Sequence, residues 1–127
     1  MAREFDEEFV QEIYKIEPKY FRSPMSRLCI GNGWLPIMWA LVIRIKDVLK
    51  EEDFMFLQVK EKFGTLNIHE AYDKRTAKKR KLAVWNLCRM AEAMSTKICE
   101  SCGRAGSMHT LKGWMRTLCE DCKEKRK

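Results

Sequence analysis

Hydrophobic residues recur every three or four positions in three parts of the chain, which is the period of an amphipathic helix. The pattern predicts helices over residues 4–16, 35–50 and 73–97. Acidic residues cluster at the start of the first helix, where the helix dipole favours negative charge. Pro36 lies at the start of the second helix, where its missing N–H costs nothing. The apolar stripe of the third helix comprises Val84, Leu87, Ala91, Met94 and Ile98.

Two segments between the second and third helices have the pattern of β-strands. Residues 54–59 form a short apolar run rich in strand-forming residues, and residues 65–69 alternate apolar with polar positions. Gly64 lies between them and favours a turn with positive φ, so the two segments predict a β-hairpin. The alternation places Ile68 on the core face and His69 opposite. We therefore interpret His69 as a solvated strand residue and not as a ligand.

Four of the six cysteines form two Cys-x-x-Cys pairs near the C-terminus. These are Cys99, Cys102, Cys119 and Cys122. Sixteen residues lie between the pairs, a spacing typical of one tetrahedral zinc ion. Gly103 follows the first pair, where a tight knuckle can turn backbone N–H groups toward the thiolates. The segment between the pairs predicts a second hairpin, with arms 107–111 and 114–118, and a helix over 120–127 follows it. Knuckle, hairpin and helix together are the treble-clef arrangement.

The predicted zinc is structural and not catalytic. Residues 98–127 contain too few large apolar side chains to hold that segment together without a metal. Four thiolates also complete the tetrahedron, so no position remains for an activated water. His109 lies about midway between the pairs, and we interpret it as an exposed strand residue. No nucleophile, phosphate-loop or dinucleotide motif is present, and the sequence therefore predicts a protein that is not an enzyme.

The order of helices, hairpin, helix and cysteine module places the chain in the α+β class. A length of 127 residues with 46% hydrophobic residues is enough for one core. We predict an α+β core over residues 1–97 and a docked zinc module with a basic tail over residues 98–127, because no linker separates them. The remaining cysteines, Cys29 and Cys88, are interpreted as small buried residues. All four tryptophans are also assigned to the core: Trp34, Trp39, Trp85 and Trp114.

The longest uncharged stretch, residues 28–43, is broken by glycine and proline and is shorter than the roughly 20 apolar residues of a membrane helix. The N-terminus has neither the cationic start nor the apolar centre of a secretory signal. We therefore expect a cytoplasmic protein in a reducing compartment, where cysteine pairs bind metal more often than they form disulfides.

Lys plus Arg exceed Asp plus Glu by seven, 25 against 18. One zinc ion held by four thiolates lowers this to about +5, which still favours an anionic partner. Cations concentrate at the start of the third helix and in the tail. They are Lys74, Arg75, Lys78, Lys79, Arg80 and Lys81, followed by Lys123, Lys125, Arg126 and Lys127. They predict a phosphate-contacting patch, and a solvated helix face is the alternative that the sequence leaves open.

Four segments of the chain form a recognisable set. They are Gly31-Asn32-Gly33-Trp34, residues 58–66 with the string VKEKFGTL, Cys99-Glu100-Ser101-Cys102-Gly103, and residues 113–122. Together they resemble a family of small uncharacterised bacterial and bacteriophage proteins with a C-terminal four-cysteine zinc module. The resemblance covers residues 24–122 and implies a phage or mobile-element origin, and with it a host-directed role.

The sequence thus predicts a non-catalytic, zinc-stabilised protein that binds nucleic acid, or an assembly that contains nucleic acid, through a basic face. The alternative partner is a protein, which would make the chain an inhibitor of a host or defence enzyme, similar in role to an anti-CRISPR protein. An enzyme of unknown type is a third hypothesis. Neither a membrane nor a small-molecule substrate is expected as a partner.

Overall fold

The computed structural model describes residues 6–126, which form a mixed helix and strand fold with two separate two-stranded antiparallel sheets. This confirms the predicted α+β class. The helices are α1 (Glu7–Ile16), α2 (Leu35–Leu49), α3 (Lys78–Ser95) and α4 (Glu120–Lys125), and the strands are β1 (Phe54–Lys62), β2 (Thr65–Tyr72), β3 (Ser107–Leu111) and β4 (Trp114–Leu118). Short 3-10 turns connect α1 to α2. Within the described residues, no helix has the length and apolar content that a bilayer crossing requires.

Local hydrogen bonds account for the observed starts of α1 and α3. The Asp6 carboxylate accepts a hydrogen bond from the Phe9 N–H at 3.1 Å, so α1 begins directly after Asp6, while residues 4 and 5 of the predicted helix lie outside the described residues. The prediction that the third helix starts at residue 73 is wrong. Asp73 instead accepts the Arg75 N–H at 2.8 Å in a turn, and α3 begins only at Lys78.

Both hairpins close through two-residue turns in which both residues have positive φ. Phe63 (φ 53°) and Gly64 (φ 82°) join β1 to β2, and Lys112 (φ 51°) and Gly113 (φ 84°) join β3 to β4. This turn matches the twist of antiparallel strands. The first hairpin is longer than predicted, because β1 continues up to the turn and β2 continues to Tyr72 at the opposite end. A one-residue bulge at Leu57 interrupts its register.

The core lies between the three long helices and one face of the first hairpin. Trp34 and Cys88 are fully buried in it, as predicted. The assignment of the other three tryptophans to the core is wrong: Trp39, Trp85 and Trp114 are 44, 47 and 71% exposed. Cys29 is also exposed, because the extended chain at residues 28–30 turns only its two neighbours inward.

The helix α3 runs along the free edge of β2 and caps its backbone with side chains. The Leu66 N–H donates to Ser95 Oγ at 2.9 Å, and the Ile68 N–H donates to Glu92 Oε2 at 2.8 Å. Arg89 donates to the Ile68 carbonyl at 3.1 Å. These bonds satisfy a strand edge that would otherwise pair with another chain. They also fix the direction of α3: its C-terminal end lies beside the turn of the first hairpin, and its N-terminal end lies far from it.

Candidate metal centre

The four predicted cysteines lie together in the folded chain. The sulfur atoms of Cys99, Cys102, Cys119 and Cys122 are all within 4.8 Å of one another. The Cys102 and Cys119 sulfurs are 3.6 Å apart. A tetrahedral zinc ion with Zn–S bonds of about 2.3 Å requires sulfur–sulfur distances of about 3.8 Å. The four side chains therefore fit one zinc ion, with the all-sulfur ligand set that zinc prefers in structural sites.

A tight knuckle, residues 99–103, holds the first pair. Gly103 has φ +84° and donates its N–H to the Cys99 carbonyl at 2.9 Å. Burial raises the pKa of the Cys99 thiol, but hydrogen bonds from the backbone of Cys119, Cys102 and Ser101 outweigh it and lower the pKa to about 7. The knuckle thus directs backbone N–H groups at a sulfur that must be a thiolate to bind metal.

The second pair lies at the start of α4. Cys119 is the N-cap of this helix, and its sulfur accepts a hydrogen bond from the Cys122 N–H at 3.4 Å. Burial and the three neighbouring cysteines raise the pKa of the Cys122 thiol to about 12. Four sulfurs this close cannot all carry negative charge without a cation, so a divalent ion is the natural counter-charge for the cluster. The expected order of knuckle, hairpin and helix is present.

The knuckle packs directly against the glycine-containing turn before α2. The Gly33 N–H donates to the Glu100 carbonyl at 2.7 Å, and the Trp34 indole N–H donates to the Ile98 carbonyl at 2.8 Å. A Cβ atom on Gly33 would lie 2.5 Å from the backbone nitrogen of Gly103. Only glycine allows this approach. The sequence indicated a turn at residues 31–33, but nothing in its local pattern indicated the contact with the knuckle.

A second contact docks the cysteine module, residues 98–126, on the turn of the first hairpin. Thr117 on β4 is fully buried and donates its hydroxyl to the Gly64 carbonyl at 2.7 Å. The Met108 sulfur would lie 2.5 Å from a Cβ atom on Gly64. The module is therefore fixed to the core at two points and is not tethered through α3 alone.

Glu100, between the first two cysteines, is a residue whose role the sequence did not indicate. It is 6% exposed, and its Oε2 accepts the Gly31 N–H at 3.1 Å. Its Oε1 lies 3.5 Å from the Arg116 guanidinium. Burial raises the pKa of this carboxyl group, and the ion pair with Arg116 opposes that effect. Glu100 thus links the knuckle both to the turn before α2 and to β4.

The cations predicted at the start of the third helix lie at the N-terminal end of α3 and in the turn before it. Arg75 pairs with Asp73 at 3.2 Å and Arg80 pairs with Glu52 at 2.6 Å. The other four are Lys74, Lys78 and Lys79, which are exposed, and Lys81, which is half-buried. The helix has neither a side-chain cap nor an acidic residue in its first turn.

The cations of the tail lie elsewhere. Arg126 donates to Ser101 Oγ at 2.7 Å, and Lys123 lies 4.0 Å from Glu120. Lys125 is exposed at the end of α4, and Lys127 lies outside the described residues. The tail is thus held at the knuckle, near the C-terminal end of α3, whereas the other group is at the N-terminal end. A helix of 18 residues is about 27 Å long, so the structure does not join the two groups into one patch.

Neither histidine belongs to the cysteine cluster, which within residues 6–126 contains only thiols. His69 is exposed on β2 and lies 3.0 Å from the Asn67 side-chain oxygen. His109 is half-buried on β3 and lies 3.3 Å from Ser107 Oγ. Both are strand residues, as the sequence predicted, but the prediction that His109 is exposed is wrong, because it is half-buried on β3.

A cavity of about 440 Å³ lies where α3 meets the edge of β2. Arg89 at its wall donates to Glu70 Oε1 at 2.8 Å, and its Nε lies 3.1 Å from Glu92. The Tyr72 hydroxyl donates to Glu70 Oε2 at 3.0 Å, and the Arg89 guanidinium lies over the Trp85 ring. Burial, followed by the charge of Glu70, raises the pKa of Tyr72. Arg89 thus pairs with both Glu70 and Glu92. Arg89 and Glu92 also bond the backbone of β2, so these charged groups belong to the cap of the strand edge.

Comparison with protein-family models, with curated proteins and with solved structures finds no match for this chain.

Proposed function

We propose that this chain is a non-catalytic nucleic-acid-binding protein whose C-terminal module is held by one structural zinc ion. The ion would be bound by Cys99, Cys102, Cys119 and Cys122. Its role is to fix the knuckle and the second hairpin against the core, because the module has only a small apolar cluster of its own. The binding surface is the cationic N-terminal end of α3.

The observation that carries the proposal is the contrast between the starts of α1 and α3. Asp6 caps α1, and Glu7 and Glu8 follow it in the first turn. By contrast, α3 begins with Lys78 and Lys79 and has no side-chain cap. The free N–H groups and the positive end of the dipole disfavour cations there unless an anion is bound. A bound phosphate accepts hydrogen bonds from the free N–H groups and neutralises the cations beside them.

The ion pairing of the cations at this end of α3 supports the same proposal. Among residues 6–126, no carboxylate lies within ion-pair distance of Lys74, Lys78 or Lys79, whereas Arg75 and Arg80 are each paired. Three exposed ammonium groups without a carboxylate partner can bind phosphates without breaking an existing ion pair. Each phosphate neutralised lowers the slope of log K against log salt by about 0.9 for duplex DNA.

The test is a salt titration of binding to labelled duplex DNA by fluorescence anisotropy, between about 50 and 200 mM salt. We expect Lys74→Gln, Lys78→Gln and Lys79→Gln together to make the slope shallower by about three, with the melting temperature unchanged. The matched control replaces three other exposed lysines in the variant Lys15→Gln, Lys19→Gln and Lys50→Gln. Equal effects of both triple variants, or no binding by the unaltered protein at low salt, would contradict the proposal.

A protein partner is the second candidate, and exposed apolar side chains on α3 favour it. Leu82, Met90 and Met94 are between 49 and 60% exposed on this helix. Large exposed apolar residues on one element are typical of docking surfaces. The chain would then act as an inhibitor of a host or defence enzyme, in line with the host-directed role that its sequence resemblance implies. Met90→Lys with Met94→Lys should abolish such an interaction and leave salt-dependent nucleic-acid binding unchanged.

A further inference from the structure

The cavity between α3 and the edge of β2 is lined in part by exposed apolar groups. Trp85 on α3 is 47% exposed, and Leu57 at the bulge of β1 is 40% exposed. The volume of about 440 Å³ lies within the range of roughly 300–1,000 Å³ that is typical of small-molecule sites. The Arg89 guanidinium lies over one face of the Trp85 ring, and the rest of this aromatic surface is open to a ligand.

Two polar side chains of β2 line the same cavity. They are Asn67 and His69, and the Asn67 Oδ1 lies 3.0 Å from the His69 Nε2. This contact uses only one polar atom of each side chain. The amide nitrogen of Asn67 and the second ring nitrogen of His69 can therefore form hydrogen bonds with a ligand. Apolar and aromatic surface beside a few hydrogen-bonding groups is the lining that a flat, polar ring system requires.

The charges inside the cavity disfavour an anionic group. Glu70 and Glu92 supply two carboxylates, and Arg89 supplies one guanidinium that pairs with both. With His69 neutral, two carboxylates against one guanidinium leave the lining with a net charge of −1. A phosphate placed here would be repelled and would find no unpaired cation among the lining residues. The group that enters the cavity should therefore be uncharged.

Cations lie directly outside the cavity, on the same face of α3. Trp85, Arg89 and Glu92 all line the cavity and are spaced by four and three positions, so they define the helix face that meets β2. Lys81 and Lys78 continue this face toward the N-terminal end of the helix. They precede Trp85 by four and seven positions, which is about 6 and 10 Å along the helix axis. Positive charge thus lies within two turns of the aromatic ring.

We propose that this cavity receives one unpaired base of a nucleic acid, while Lys81 and Lys78 contact adjacent phosphates. The inference rests on the proposed function and specifies the form of nucleic acid that is bound. A nucleotide matches both parts of the site, because its base is flat, uncharged and edged with hydrogen-bonding groups, whereas its phosphate is anionic. A paired base in a duplex exposes neither its ring faces nor its pairing edge. The cavity should therefore select single strands over duplexes.

The experiment measures, by fluorescence anisotropy, the affinities for three labelled ligands of roughly 10 nucleotides: an oligothymidine, an abasic strand with the same phosphates, and a duplex. The variant is Trp85→Leu, which removes the ring and retains an apolar, helix-forming residue. We expect the unaltered protein to prefer the oligothymidine to the abasic strand by roughly 5- to 150-fold, the effect of stacking one base, and Trp85→Leu to lose this preference. Its affinities for the abasic strand and the duplex should change less than about twofold.

Trp39→Leu is the matched control, because Trp39 is 44% exposed on α2 and does not line the cavity. It should change none of the three affinities.

Two further variants separate the base from the phosphates. Asn67→Val keeps the ring and places a strand-forming residue on β2, so it tests the inference even if Trp85→Leu is unstable. It should weaken oligothymidine binding roughly 2- to 10-fold through the lost hydrogen bonds and leave binding of the abasic strand unchanged. Lys78→Gln should instead weaken binding of both strands by the same factor, because it removes a phosphate contact alone.

The possible failures are distinguishable. If the unaltered protein binds the oligothymidine and the abasic strand equally well, no base enters the cavity, so the inference is wrong and the proposed function stands. If Trp85→Leu and Trp39→Leu have equal effects on the oligothymidine, the base lies elsewhere and the inference is again wrong. If the unaltered protein binds none of the three ligands at low salt, the proposed function is wrong and the inference fails with it.

Discussion

The backbone N–H of Gly33 donates a 2.7 Å hydrogen bond to the carbonyl oxygen of Glu100, which lies between Cys99 and Cys102 of the cysteine cluster. These two residues are 67 positions apart in the sequence. The bond connects the start of α2, in the core, to the knuckle of the cysteine module. The candidate metal centre and the core therefore share one packed interface. A substitution in the core at this interface should weaken metal binding, and loss of the metal should alter the core.

Gly33→Ala should weaken both zinc binding and the fold. The added Cβ would lie 2.5 Å from the Gly103 nitrogen, so the knuckle would have to move away from the turn. Overpacking of this kind costs about 1–3 kcal/mol of unfolding free energy. Urea denaturation and competition with a zinc chelator measure the two effects. Gly113→Asn is the control, because the space around Gly113 is open and Asn tolerates positive φ. Equal stability of both variants would contradict the importance of this contact.

Removal of the metal should disorder the module and alter the environment of Trp34. The Trp34 indole donates to the Ile98 carbonyl next to the knuckle, so a displaced knuckle leaves this buried N–H without its partner. We expect the purified protein to contain one zinc ion, and Cys102→Ser to lose it together with near-ultraviolet circular dichroism. The control is Cys29→Ser. Elemental analysis and spectra should show that it retains both the zinc ion and the near-ultraviolet circular dichroism. Full ellipticity in zinc-free Cys102→Ser would show that the module folds without metal.

The clustering of the four cysteines could be predicted because it follows from local spacing. Two short Cys-x-x-Cys pairs and the Lys112-Gly113 turn fix the knuckle, the ends of β3 and β4, and the start of α4. Each of these features depends on residues close together in the sequence. By contrast, the roles of Gly33 and Glu100 depend on contacts between distant segments, which one sequence without its fold does not reveal.

The tryptophans show where periodicity is insufficient. Trp85 lies beside the apolar stripe of α3, but the guanidinium of Arg89 covers its ring at 5.3 Å and the helix turns it toward solvent. Trp39 packs edge to face on the Phe9 ring at 5.5 Å and is still 44% exposed. The period of a helix indicates which residues share a face, whereas the packing of neighbouring elements determines how much of that face is covered. The start of α3 was missed for a related reason, because the Asp73 turn competes with the helix.

The two cysteines outside the cluster should differ sharply in reactivity. Cys29 is exposed, whereas Cys88 is fully buried in the core, where desolvation and then the charge of Glu70 raise the pKa of its thiol. The thiolate is the reactive species, so Cys88 should react only on unfolding. In the zinc-loaded protein, iodoacetamide followed by peptide mass spectrometry should therefore label Cys29 first. Labelling of Cys88 at a similar rate in native conditions would contradict its placement in the core.

Ser95→Ala should destabilise the protein through the free edge of β2. The Ser95 hydroxyl accepts the Leu66 N–H at 2.9 Å and donates to the Glu92 carbonyl at 2.6 Å, and the residue is fully buried. Without the hydroxyl, the Leu66 N–H is buried and has no acceptor, which costs about 1–3 kcal/mol.

Thr96→Ala is the matched control for this substitution. The Thr96 hydroxyl also donates to a helix carbonyl, that of Ala93 at 2.7 Å, but this bond is exposed and caps no strand. We expect its loss to change the unfolding free energy by less than about 0.5 kcal/mol. Chemical denaturation measures both variants, and hydrogen exchange at the Leu66 amide should accelerate in Ser95→Ala alone. Unchanged exchange at Leu66 in that variant would mean that the α3 side chain does not protect the strand edge.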